Sequence, residues 1–170
     1  GNSALDGTDG NARTFTSGGI TVNVEAWSRD KSTGAWAEAW LGSYGGGLGV
    51  TDSSEGNGSG DAHTVDNSGR DNYIVFQFSQ NVVVDKAFLG YVAGDSDLTA
   101  YLGSSAAPIT SMSNAVLSGM SLKEFNDTTS TSARWADVNA GNVAGNVLII
   151  AARDDGHSMD YFKLEQLTLQ

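Results

Sequence analysis

Four short stretches bring carboxylates and carboxamides together beside glycine and serine: Asp6/Asp9/Asn11, Asp52/Glu55/Asp61, Asp66/Asn67/Asp71/Asn72 and Asp95/Asp97. Ca²⁺ collects roughly six to eight oxygen ligands from such side chains and from backbone carbonyls, and glycine-bearing loops present them well. Asp154, Asp155 and Asp160 flank the last apolar run and would join the first group if the terminal strands are neighbours. No stretch has the regular acidic alternation and closing Glu of an EF-hand. Asp and Asn also favour turns for local reasons, because they accept nearby backbone hydrogen bonds and tolerate left-handed conformations. The expectation is at least one calcium ion, with Asp66, Asn67, Asp71 and Asn72 the first choice because they close a long loop.

Other chemistry has less material. There is no cysteine, and the only histidines are His63 and His157. No Gly-x-Ser-x-Gly elbow is present to activate a serine. The run Gly45-Gly46-Gly47-Leu48-Gly49 lacks the lysine and spacing of a phosphate-cradling loop. The carboxylate pairs Asp95/Asp97 and Asp154/Asp155 adjoin in sequence, whereas glycosidase pairs come from separate elements across a cleft. No catalytic residues are assigned, and the chain is expected not to be an enzyme. Trp27, Trp36 and Trp40, with Trp135 and Tyr44, raise a second possibility: exposed rings on a β-sandwich stack against sugars. Trp27 lies on the polar phase of its strand, which turns it outward.

The elements that must position these groups are strands. The 170 residues suit one domain with an ordinary core, and disulfides are excluded. Twenty-two glycines against one proline, with abundant Ser, Thr and Asn, describe a loop-rich β protein. Nine basic against twenty acidic residues give a net charge of −11. That balance excludes nucleic-acid binding, which needs basic side chains to displace counterions, and disfavours anionic membranes. No apolar run is long enough to insert in a bilayer.

Period-two alternation marks strands at 20–28 and 73–79. The runs 82–92 and 146–153 are more continuously apolar and read as buried strands. In 159–169 the apolar phase shifts between Leu164 and Leu167, which predicts a bulge. Shorter strands are expected at 13–16, 35–43, 98–102, 121–125 and 134–138, and one short helix within 107–117, with Pro108 near its start. The sum is all-β: a single two-sheet antiparallel sandwich, jelly-roll-like, over residues 1–170. One long Gly/Asp-rich loop, 45–71, interrupts it. Residues 1–12 are expected to form an extended arm that docks on a neighbouring subunit.

Several blocks follow one another in order: Gly47-Leu48-Gly49-Val50, Glu55-Gly56, His63-Thr64-Val65-Asp66-Asn67 and Gly69-Arg70-Asp71-Asn72-Tyr73. Phe88-Leu89-Gly90-Tyr91, Gly94-Asp95-Ser96-Asp97, Ser132-Ala133-Arg134-Trp135 and Asp160-Tyr161-Phe162-Lys163-Leu164 complete them. Over about residues 40–165 the chain resembles bacterial PEP-CTERM proteins, which exosortase sorts for export. The resemblance implies a secreted surface or biofilm-matrix component, often made alongside exopolysaccharide. The family's Pro-Glu-Pro sorting tail does not occur up to Gln170, and Gly1-Asn2-Ser3 fits a mature chain that has lost its signal peptide. Two functions are therefore expected. The first is a secreted, calcium-stabilised protein that assembles with copies of itself into a layer, filament or matrix fibre. The alternative is a lectin-like module that recognises extracellular polysaccharide through Trp27, Trp36 or Trp40.

Overall fold

The computed structural model describes residues 7–153 and 158–170. It is an all-β sandwich of a seven-stranded and a six-stranded sheet, and all its strand pairs are antiparallel. In chain order the strands are β1 (Ala12–Ser17), β2 (Ile20–Asp30), β3 (Trp36–Glu38), β4 (Trp40–Tyr44), β5 (Gly47–Thr51), β6 (Val65–Asp66) and β7 (Arg70–Val82). They continue as β8 (Val84–Val92), β9 (Leu98–Gly103), β10 (Leu122–Asn126), β11 (Arg134–Asp137), β12 (Gly145–Ala152) and β13 (Tyr161–Leu169), with one helix, α1 (Asn114–Ser118). The first sheet runs β1-β2-β7-β12-β9-β10, with β3 beside β2; the second runs β11-β8-β13-β5-β4, with β6 beside β13. From β7 onward the chain passes repeatedly between sheets, as jelly-roll-like sandwiches do.

Alternation explains the core. Val24 and Ala26 on β2, Ile74, Phe76 and Phe78 on β7, and Leu148 and Ile150 on β12 point between the sheets. They meet Val84, Ala87 and Leu89 of β8 and Phe162 and Leu164 of β13. The opposite phase of the first sheet would be wet in a bare sandwich. Here the segment carrying Ile109, Met112, Val116 and Met120 folds over Trp27, Tyr73, Val75 and Ile149, making a second apolar layer. Trp27 does face outward from the sheet, yet this cover buries it.

Several boundaries differ from those expected. The 35–43 run splits into β3 and β4, and α1 starts at an Asn after the N-cap Ser113, well beyond Pro108. The 82–92 run bends at Val83, where the chain leaves one sheet for the other. The 45–71 stretch is not one loop, because it contains β5 and β6. Glycine hid them: a Cβ at Gly49 would strike the His63 carbonyl, and Gly47, at φ +114°, lies against the Leu164 backbone. The bulge in β13 is present, since the β8 register shifts between Leu164 and Gln166.

The described part of the amino-terminal arm packs on its own chain. Gly10 N–H donates to Ala39 O, while Asn11 Nδ2 and Arg13 Nε both donate to Leu41 O. Leu41 N–H donates back to Asn11 Oδ1.

Candidate functional site

The expected Asp66–Asn72 site is divided by strand geometry. β7 begins at Arg70, so Asp71 and Asn72 point to opposite faces of its sheet. Asp71 lies on the outer face, 3.5 Å from Arg29 Nη2 and 3.4 Å from Lys31 Nζ. Asn72 points inward, donating to Asp52 Oδ2 at 2.7 Å and accepting from Asp66 N–H. Asp66 and Asn67 part in the same way: Asp66 turns toward Glu55, Asn67 toward Asp160.

Two acidic centres result. The first joins Asp52, Glu55 and Asp66 beneath the 52–64 segment. Asp52 Oδ1 accepts from Ser54 N–H and Oγ, and Glu55 Oε2 accepts from Asp52 N–H at 2.7 Å. Asp66 accepts from Ser68 N–H and from Thr64 Oγ1. Burial, with Asp66 close by, pushes Glu55 up to about 9, and burial pushes Asp66 up to about 7. Glu55 therefore holds a proton at neutral pH and shares it with Asp66. Asp61, expected to join this group, is exposed and accepts from the Tyr91 hydroxyl at 2.8 Å.

A buried lysine lies close to the same segment. Lys163 is only 6% exposed, and its Nζ lies 4.4 Å from the Tyr44 ring centre and 4.7 Å from that of Tyr91. Burial lowers its pKa, opposed by Asp61. His63 lies tilted against the Tyr44 ring at 4.6 Å, and burial and then Lys163 lower its pKa. Sequence reading passed over Lys163, whose position between Tyr44 of β4 and Tyr91 of β8 depends on long-range pairing.

The second centre is the stronger metal candidate. Carboxylate oxygens of Asp95, Asp97 and Asp160 lie within 4.8 Å of one another, two of the residues buried and one half-buried. The turn after β8 supplies the first two, and the approach to β13 supplies the third. An Asp95–Asp160 bridge and Asp97 N–H donating to Asp160 Oδ1 at 2.8 Å fix their relation. Asn67 clamps Asp160 by accepting from its N–H and donating to its Oδ2. Ser158 Oγ and Ser96 N–H donate to Asp95, and Thr128 N–H donates to Asp97 Oδ1 at 2.6 Å. Asp97 Oδ2 has no donor among the described residues.

Arg134 faces all three carboxylates but bonds to Ser96 O, Ser96 Oγ and Asn126 Oδ1. Burial lowers its pKa, and attraction to Asp97, Asp95 and Asp160 opposes this. Three carboxylates against one guanidinium leave two negative charges, which a divalent cation would balance. The cluster could hold a metal ion, and its all-oxygen donors suit Ca²⁺. Asp160 thus joins Asp95 and Asp97 rather than the amino-terminal group. Asp9 is exposed, Asn11 is used on Leu41, and Asp6, Asp154, Asp155 and His157 lie outside the described residues.

The tryptophans are mostly packing. Trp27 and Trp40 are buried, Trp40 edge-on to Tyr44. Trp36 is half-covered against Tyr73 and Arg29, and its Nε1 donates to Asn114. Trp135 is the exposed one, at 45%, with Phe88 behind it at 5.0 Å. No protein-family model, characterised protein or solved structure matches the chain.

Proposed function

We propose that this chain is an exported structural subunit, stabilised by calcium, that associates with copies of itself into an extracellular layer or fibre. The observation that carries the reading is one unfinished end of the sandwich. There Phe15 is 45% and Leu169 38% exposed, although both line a cleft of about 470 Å³ between the sheets. Soluble monomers rarely leave core-facing side chains and a strand edge open together, because both invite association. The ordered PEP-CTERM-like blocks support export and a place at the cell surface or in a matrix. Asp95, Asp97 and Asp160 would hold the ion and tie the turn after β8 to the start of β13.

Negative-stain electron microscopy of the protein in calcium tests the reading. Ordered filaments or sheets are expected, and uniform single particles across a wide concentration range would overturn it. A second reading, recognition of extracellular polysaccharide, is favoured by the exposed Trp135 on Phe88, since a supported ring offers a face to a sugar. Quenching of tryptophan fluorescence by a glycan, lost in Trp135→Ala, would support it.

A further inference from the structure

The outer face of the first sheet holds a basic pocket of about 410 Å³, where the segment around α1 meets β9 and β10. That volume falls within the roughly 300–1,000 Å³ of small-molecule sites. Lys123 of β10 stands opposite Tyr101 of β9 in register, its Nζ 5.5 Å from the Tyr101 ring centre. Arg29 of β2 lines the same pocket, 3.5 Å from both Asp71 and Asn114 Oδ1. Arg29 and Lys123 are the only charged residues lining it, in a chain that carries −11 overall. Charges beyond a Debye length of about 8 Å are largely screened, so this local surplus governs what enters. The polar groups here are donors short of acceptors. Among the described residues, Lys123 forms no ion pair and the Tyr101 hydroxyl no hydrogen bond. Asn114 spends Oδ1 on Arg29 and Trp36, which leaves Nδ2 to donate. Burial raises the Tyr101 pKa against the pull of Arg29, so the phenol keeps its proton. Leu117 and Met120, both half-buried, give the pocket an apolar wall.

We propose that this pocket binds a sugar acid, a uronate, with its carboxylate taken by Lys123, Arg29 and the Tyr101 hydroxyl and its ring against Leu117 and Met120. Hydrogen bonds from a cation to a carboxylate are about twice as strong as neutral ones, so the carboxylate is the anchor. A bare inorganic anion would meet the cations and leave the apolar wall in water. A neutral sugar would leave both cations uncompensated. An aromatic acid would meet the cations and cover the wall, but its ring offers Asn114 Nδ2 no acceptor. The hydroxyls of a uronate accept from Asn114 Nδ2 and donate to Ser118 Oγ, whose own proton goes to Ala115 O. Trp135 belongs to the other sheet, so this is a separate site from the exposed ring on Phe88. It also stands apart from the assembly reading.

Ligand-observed NMR titration of glucuronate onto the full chain tests it. Saturable binding is expected, weakened at least about tenfold in Lys123→Met and about fivefold in Tyr101→Phe. Both variants should melt like the wild type, since neither removes a hydrogen bond within the protein. Glucose, which has the ring without the carboxylate, should not compete. If glucuronate binds no tighter than glucose, or binds Lys123→Met as well as the wild type, the pocket is not a uronate site. Equal competition by sulfate would reduce it to a general anion site, and binding of benzoate but not glucuronate would make it an aromatic-acid site. Either result overturns the sugar assignment.

Discussion

β13 begins among carboxylates and, about 30 Å further on, ends beside an apolar cleft. At the acidic end nearly every polar atom has a partner: Asn67, Ser96, Thr128 and Ser158 all donate to one of three aspartates. Among the described residues, the only guanidinium facing the three carboxylates is that of Arg134. At the other end charge is sparse among the described residues, Phe15 is exposed, and Ile20 and Val22 stay half-buried beside an apolar cleft. On the proposed reading the contrast separates two tasks, with an ion completing one end of the subunit and another subunit completing the other. Changes at the acidic end should alter melting, and changes at the cleft should alter association.

The largest effect is expected from the ion. A ligand present at about a hundredfold over its dissociation constant stabilises the native state by about 2.7 kcal/mol. For a domain this size that is about 5–10 °C of melting temperature. Chelation should lower the transition by that amount, and Asp97→Asn should melt at the same temperature with and without calcium. A chelator-insensitive wild type would break this half of the comparison.

Next comes the buried proton. Glu55 is raised from 4.5 to about 9, so the folded state binds a proton that the unfolded chain releases. The stabilisation is fully present below about pH 4.5 and is lost as pH rises through 9. Glu55→Gln should flatten the fall in stability between pH 6 and 9. The gain at pH 9 should be about 2 kcal/mol, kept well below the full linkage value because the pair is partly solvated. Urea melts at the two pH values measure it; equal slopes in variant and wild type would contradict the shared proton.

Asn67→Ala sharpens the distinction between the two acidic centres. It removes the clamp on Asp160 and should weaken calcium binding about tenfold, while leaving the pH dependence carried by Glu55 intact. Calcium titration by calorimetry reads the first effect. The smallest expected change is Lys163→Met, which keeps the stem between Tyr44 and Tyr91 but removes the ammonium. It should cost about 1 kcal/mol and speed amide exchange in the 52–64 segment, without touching either end of β13.

Much of this architecture was legible in the residues. The alternation in β2 and β7 and the phase slip in β13 are local signals, and they gave the strands, their buried faces and the bulge. Asp95 and Asp97 could be paired because one turn holds both. Asp160 could not be added to them, since its place depends on β13 lying against β8 across some seventy residues of chain. The Asp66–Asn72 grouping failed because period two was not carried back to Arg70, where it would have sent Asp71 and Asn72 to opposite faces. Trp27 was read as outward, and it is; the covering segment with Met112 carries no local mark of its destination. The strand β5 was concealed by glycines that close approach to His63 and Leu164 requires.

Sedimentation velocity of the wild-type protein in calcium, across a hundredfold range of concentration, tests the central claim most directly. Growth into large, concentration-dependent species, absent in Leu167→Trp at equal melting temperature, is the result predicted. A single monomeric boundary at every concentration would contradict the claim that this sandwich is a subunit awaiting its neighbour.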